Sequence, residues 1–202
     1  MGTNQRLRSK QKAINPTKDG QIRIIAGQWR GRKFPVKDLE GLRPTTDRVK
    51  ETVFNWLAMD VRDANCLDCF SGSGSLAFEA LSRYASAAIL IEKDKLAAKQ
   101  LASNLAAVKA SNGKVVCTDS ITHLSKPASQ QFDIVFVDPP FRKGLLEPCC
   151  EQLESNNWLS TNALIYIERE KELTNPRLPT NWQLIKDKVA GQVIYQVYQR
   201  QA

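Results

Sequence analysis

Asp138-Pro139-Pro140-Phe141 is the stretch of this chain whose residue types and spacing best suit chemistry. The Asp138 side chain can accept one hydrogen of an exocyclic base amine, and the Pro139 carbonyl can accept the other. Such an amine is a poor nucleophile because its lone pair is delocalised into the ring. Two acceptors on its hydrogens would hold that lone pair toward a methyl donor. Consecutive prolines fix φ and stiffen the carbonyl between them. Phe141 offers a flat face for a flipped base, a contact worth roughly 1–3 kcal/mol by analogy with single-strand binding. Asp138 need not be a strong base, since the amine is cationic and acidic once it has reacted. Rate would come from in-line positioning and a charge-complementary pocket. The plain alternative is a strand end followed by a proline turn, with Phe141 in the core.

A second constellation precedes it. Leu67-Asp68-Cys69-Phe70-Ser71-Gly72-Ser73-Gly74 runs from a strand into a helix, and Glu92 stands twenty residues after Gly72. Glycines at 72 and 74 let the backbone turn sharply and approach a ligand. The N–H groups of the following helix point to the same place. Glu92 can accept from both hydroxyls of a ribose. Taken alone this also fits a nicotinamide or flavin dinucleotide. Asp68, with Phe70 close behind it, tilts the choice. Asp68 can face an ammonium group, which S-adenosylmethionine carries and a dinucleotide does not. Asp119 could accept from an adenine amino group, with the Ser120 N–H or hydroxyl beside it. Asp119 equally suits a helix N-cap, and the two roles can coexist.

The elements that must position these groups alternate. Strands are expected at 65–70, 88–92, 114–118, 132–138 and 163–168. Helical spacing appears at Leu76/Ala77/Ala80/Leu81, at Ala97/Leu101/Leu105/Val108 and over 145–153. That alternation predicts βαβ units on a mainly parallel, buried sheet. The end differs: 182–189 and 192–198, joined by Ala190-Gly191, read as an antiparallel hairpin. The expected fold class is α/β and Rossmann-like, and a parallel sheet closed by a terminal antiparallel hairpin resembles the seven-stranded methyltransferase sheet. Ahead of it, residues 21–36 read as a small β-ribbon punctuated by Gly27 and Gly31. Thr46 or Asp47 then caps a helix whose apolar face is Val49, Val53, Trp56 and Leu57. Three parts result: a flexible basic arm (1–20), a basic ribbon extension (21–45) and a catalytic domain (46–202).

Charge is unevenly placed. The chain of 202 residues carries a net +8, yet residues 1–50 hold 13 Lys/Arg against 4 Asp/Glu and the remainder is near neutral. A basic arm on a near-neutral body points to a polyanion met from one side. Arg23, Arg30, Arg32, Arg43, Thr45 and Arg48 are the candidate RNA contacts, with Arg142 and Lys143 after the tetrapeptide. Trp29, set among polar neighbours in the ribbon, is the tryptophan read as a recognition residue, and the other three as core. No apolar run approaches the roughly 18–20 residues of a membrane span, so no membrane partner is expected. The polar, basic first twenty residues argue against a secretory signal. Five irregularly spaced cysteines argue against a disulfide framework and for the cytoplasm. Cys66 and Cys69 form C-x-x-C without a second pair, so no metal is expected. The single histidine, His123, speaks against a Ser-His-Asp hydrolase. Glu168 ends a strand near the same edge and has no assigned role.

From about Arg23 to Tyr198 the chain resembles the bacterial 16S ribosomal RNA guanine-N2 methyltransferase family, which modifies guanine 966. The resemblance is carried by Arg23-Ile24-Ile25-Ala26-Gly27, Gly31-Arg32, Arg43-Pro44-Thr45, Asp47-Arg48-Val49-Lys50-Glu51, Leu67 to Gly74, Ile91-Glu92 and Asp138 to Phe141. Ala26 stands where a glycine is usual, and Cys69 and Ser71 where Leu and Ala are commoner. The resemblance implies S-adenosylmethionine as donor and 16S rRNA within the assembled small subunit as partner. It assigns Asp138 and Phe141 to the base, Glu92 and Asp119 to the cofactor, and Arg43, Thr45 and Arg48 to RNA. A monomer is expected. The rival readings are a DNA adenine-N6 methyltransferase, a non-catalytic rRNA-binding assembly factor and a dinucleotide-dependent oxidoreductase.

Overall fold

Phe132–Val137 is apolar at nearly every position because it is a central strand covered on both faces. In the computed structural model, which describes residues 20–37 and 46–201, Ile134 and Phe136 enter one core while Val135 and Val137 enter another. That is the period of two expected of a strand between two layers. Of the arm expected at 1–20, residues 1–19 lie outside the described residues, as do Arg43, Thr45 and the rest of 38–45, whereas Gly20 already belongs to the first strand of the ribbon.

The elements follow in the order β1 (Gly20–Arg23), β2 (Lys33–Val36), α1 (Asp47–Trp56), β3 (Asn65–Asp68), α2 (Ser75–Ser82), β4 (Ala87–Glu92), α3 (Lys95–Ala107), β5 (Gly113–Cys117), α4 (Ser120–Leu124), β6 (Phe132–Val137), α5 (Leu146–Ser155), β7 (Leu159–Glu170), β8 (Trp182–Ala190) and β9 (Val193–Arg200). β3 to β9 form one seven-stranded sheet in the order β5-β4-β3-β6-β7-β9-β8. β3 to β7 pair in parallel, whereas β9 is antiparallel to β7 and β8 antiparallel to β9. The chain winds outward from β3 to β5 and returns to β6 on the other side of β3. The crevice between β3 and β6 is thus the switch point, where ligands of such sheets bind. Residues of α1, α2, α3 and the ribbon fill the core on one face, and those of α4 and α5 the core on the other. Among the described residues no helix is long and apolar enough to cross a membrane.

Three expectations need correction. The hairpin turn is Gly191-Gln192, since Ala190 still pairs with Val193, and Gly191 takes φ +63°. β7 is longer than expected, starting at Leu159, with an irregularity opposite Phe132/Ile134. Trp29 is half-buried and packs edge-on against Phe34, so it supports the ribbon.

The ribbon is not a loose appendage. Ile22 pairs with Phe34, and both enter the core shared with α1 and α2. The buried Glu79 carboxylate accepts from the amides of Ile25 (2.8 Å) and Ala26 (3.0 Å), and from Arg83 Nε (2.8 Å). The Ser82 hydroxyl accepts from the Trp29 amide and donates to the Ala26 carbonyl. Gly27 sits at φ +82°, and a Cβ there would lie 1.8 Å from the Ser82 carbonyl oxygen. From α1, the buried Lys50 donates to the Arg23 carbonyl and pairs with Asp47 at 3.4 Å. Thr46 is the N-cap of that helix, its hydroxyl accepting from the Val49 amide. The predicted apolar face holds in Val53 and Leu57, with Phe54 and Lys50 buried beside them.

Candidate active site

The carboxyl ends of β3, β4, β5 and β6 bring the sequence-predicted cofactor and base residues to one edge. β3 ends on Asp68, which is 2% exposed. The loop that follows is tied down at both sides. The Ser71 hydroxyl donates to the Asp68 carbonyl (3.1 Å), the Ser71 amide to the Ile91 carbonyl (2.9 Å), and the Gly74 amide to the Ser71 carbonyl (2.6 Å). Gly72 and Gly74 take φ +50° and +77°, left-handed conformations that glycine adopts without strain. A Cβ on Gly74 would also meet the side chains of Leu101 and Phe78 at 2.6 and 2.7 Å.

Glu92, at the end of β4, belongs to this loop. One carboxylate oxygen accepts from the Gly72 amide (2.8 Å) and the other from the Asp94 amide (2.7 Å). A carboxylate has about four lone-pair sites, so both oxygens keep acceptor capacity for a diol. After β5, Asp119 caps α4 and accepts from the Thr122 amide (3.0 Å). The buried Ser120 hydroxyl donates to the Cys69 carbonyl, which fastens α4 to the glycine loop and commits that hydroxyl internally. Phe70 is half-buried against the second core.

Asp138 and Phe141 are half-buried, Pro139 is buried and Pro140 exposed. The next residues turn back at once. Arg142 has φ +60°, its amide donates to Glu170 (3.0 Å), and its guanidinium faces Glu172 at 3.5 Å. Behind the tetrapeptide, Tyr166 donates to Glu168 on β7 at 2.9 Å.

Electrostatically the edge is acidic. Burial raises the Asp68 carboxyl to about 7, and the charge of Glu92 pushes the same way. The amides of Ala77 and Phe70 and the Ser71 hydroxyl oppose the rise. At the N-terminus of α2, the Ser75 hydroxyl is buried with no hydrogen-bond partner among the described residues. Beside the glycine loop, a buried carboxyl that can accept from an ammonium and an unsatisfied hydroxyl that can donate to a carboxylate have the chemistry to suit a small zwitterion.

A profile of the family described as Conserved hypothetical protein 95 matches residues 22–199. The chain is 57% identical over 191 residues to ribosomal RNA small subunit methyltransferase D of Escherichia coli K12, covering 95% of this chain and 96% of that one. It is 50% identical to the protein of that name from Haemophilus influenzae, covering 93% and 98%. The chain belongs to the small subunit methyltransferase D family. A solved Escherichia coli structure bearing a methyltransferase name superimposes with a TM-score of 0.84 at 56% identity, covering 91% of this chain and 99% of that one.

Within this member of the methyltransferase D family, the structure gathers Asp68, Gly72, Gly74, Glu92, Asp119, Ser120, Asp138, Pro139 and Phe141 at one edge. It does not bring the ribbon arginines there. Arg30 is exposed near the ribbon turn, and Arg32 donates to the Ala107 carbonyl (3.1 Å) at the C-terminal end of α3. A helix of 13 residues puts that end roughly 20 Å from its start at the ligand edge. Arg23 and Lys33 are exposed and directly opposite each other on the ribbon. Arg48 is exposed on the first turn of α1, and Lys143 is exposed after Arg142. Ser75, Tyr166 and the buried setting of Glu168 escaped the sequence reading. Period-two alternation through Tyr166 and Glu168 was the available signal for the latter two.

Proposed function

We propose that this protein transfers a methyl group from S-adenosylmethionine to the exocyclic N2 amine of a guanine in 16S rRNA, guanine 966 of the assembled small subunit. The observation that carries this reading is the placement of Asp138-Pro139-Pro140-Phe141 directly after β6, across the switch point from the glycine loop of β3. The names of the relatives supply the rRNA substrate.

Asp68 and Ser75 would hold the amino-acid end of the donor, Glu92 its ribose, and Asp119 with the Ser120 backbone N–H its adenine side. When bound, the donor supplies an electrophilic methyl group on a sulfonium. The chain's own residues do the rest. Asp138 and the Pro139 carbonyl accept the two amine hydrogens and so aim the nitrogen lone pair. Phe141 stacks the extruded base. Burial of the loop excludes water and strengthens each of these interactions. Residues 1–19 would make the main contacts to the RNA backbone, ahead of the exposed Arg23 and Arg30 of the ribbon.

The test is to incubate the purified protein with methyl-labelled S-adenosylmethionine and three acceptors: unmodified small subunits, naked rRNA and duplex DNA. N2-methylguanosine at a single position in the subunits is the expected product. Label in DNA as N6-methyladenine, or no label despite donor binding, overturns the assignment.

A further inference from the structure

Glu168 sits near the carboxyl end of β7 at 8% exposure, held by the hydroxyl of the fully buried Tyr166. β6 and β7 run parallel with Phe136 opposite Tyr166 and Val137 opposite Ile167. The next register position sets Asp138 beside Glu168, on strands roughly 4.8 Å apart. Alternation places both on the sheet face that carries Phe136 and Tyr166. The Tyr166 hydroxyl titrates above its ordinary range, first through burial and then through the charges of Glu168 and Asp138, so one hydroxyl senses both acids.

Asp138 and the Pro139 carbonyl account for an amine and do not distinguish one amino-purine from another. The ring atom beside the amine does. Guanine carries an N1–H donor next to its N2 amine, whereas adenine carries an N1 lone pair next to its N6 amine. We propose that Glu168 is the specificity-determining residue of this site: its carboxylate accepts the guanine N1–H while Asp138 and Pro139 hold the N2 amine, and it repels the adenine N1 lone pair. Tyr166 is a positioning residue that fixes the orientation of Glu168. The Tyr166 bond takes one of the roughly four lone-pair sites of the carboxylate. A site built to pair a substrate N–H discriminates strongly, because the wrong ligand leaves buried groups unpaired. This inference rests on the guanine-N2 reading above.

The experiment uses small subunits reconstituted with rRNA bearing either guanine or 2-aminopurine at the target position. 2-Aminopurine keeps the amine at position 2 and replaces N1–H by a lone pair. Single-turnover rates give a guanine to 2-aminopurine preference for the wild type, Glu168→Gln and Tyr166→Phe, with S-adenosylhomocysteine affinity as the control for folding. A glutamine amide can turn to accept from N1–H or donate to the N1 lone pair. Glu168→Gln is therefore expected to lower the preference by roughly 10- to 100-fold, and Tyr166→Phe to lower it by less. A merely structural role would slow both substrates equally. An unchanged preference in a Glu168→Gln protein that binds S-adenosylhomocysteine overturns the inference. If that variant fails to bind, the preference of Tyr166→Phe decides in the same way. A wild type that methylates no guanine in the subunit overturns the guanine-N2 reading itself.

Discussion

Burial lifts the Asp68 carboxyl from its ordinary 3.8 to about 7, and Glu92 adds to the rise. A group whose folded pKa is raised favours folding while protonated, so its contribution is full below 3.8 and is lost as pH climbs toward 7. Asp68 therefore works against the unliganded fold at neutral pH, which accords with the proposal that it faces an incoming ammonium. We expect affinity for S-adenosylhomocysteine, measured by calorimetry from about pH 5.5 to about 8.5, to rise up to about pH 7 and then level off. Asp68→Asn is expected to flatten that profile, to weaken binding above pH 7 by roughly 10- to 100-fold, and to raise the unliganded melting temperature at pH 8. A variant whose affinity tracks the wild type at every pH would show that Asp68 does not face the ammonium. Asp138 stands on the other side of the crevice, and its loss has a different signature. Asp138→Ala is expected to abolish transfer while S-adenosylhomocysteine binding stays within about threefold, because the interaction it removes belongs to the acceptor. Loss of both together would make Asp138 a structural residue.

Between the strands and the arm, the ribbon depends on one close approach. Gly27 lies at φ +82° against the Ser82 carbonyl, and Glu79 receives the two preceding amides. Gly27→Ala is expected to cost about 2 kcal/mol or more, from strain and a forced separation. Urea unfolding would read that loss. Hydrogen exchange should show the amides of Ile24 to Arg32 losing protection before the sheet does, and unchanged protection there would show that the latch does not hold the ribbon. The latch also marks where sequence reading stops. The parallel strands were legible because β4 and β6 are buried on both faces, and the hairpin because Val193, Tyr195 and Val197 alternate. The glycine loop and the tetrapeptide could be placed at the ends of β3 and β6 because each is a run of a few consecutive residues that follows an apolar strand. α4 was legible only in its N-cap candidate Asp119, since its five residues are too few to show a helical period. Glu79 and Lys50 were not, since their partners lie 54 and 27 residues away at Ile25 and Arg23. A buried charge looks like any surface charge until the element that covers it is in place. Glu168 was visible at a strand end, but its hydroxyl partner is set by which face Tyr166 takes.

On the scale of the whole molecule, the site edge and the N-terminal quarter differ in charge. The edge gathers the carboxyl groups of Asp68, Glu92, Asp119, Asp138 and Glu168, an arrangement that disfavours phosphate. The attraction that brings RNA to such an edge must come from elsewhere. The first fifty residues supply it, with 13 Lys/Arg against 4 Asp/Glu. Because Arg32 is committed to the far end of α3, residues 1–19, which carry Arg6, Arg8, Lys10, Lys12 and Lys18, are the better candidates for phosphate contact. Each phosphate contact steepens the salt dependence of RNA affinity by roughly 0.7–0.9 in log–log slope. Removing residues 1–19 is therefore expected to weaken subunit binding, to reduce that slope by at least about one such contact, and to leave S-adenosylhomocysteine affinity and melting temperature unchanged. Filter binding over a salt series measures it. A truncated protein with the parental slope would place the phosphate contacts on the ribbon and α1, whereas a loss of donor affinity would mean that the arm folds back onto the site.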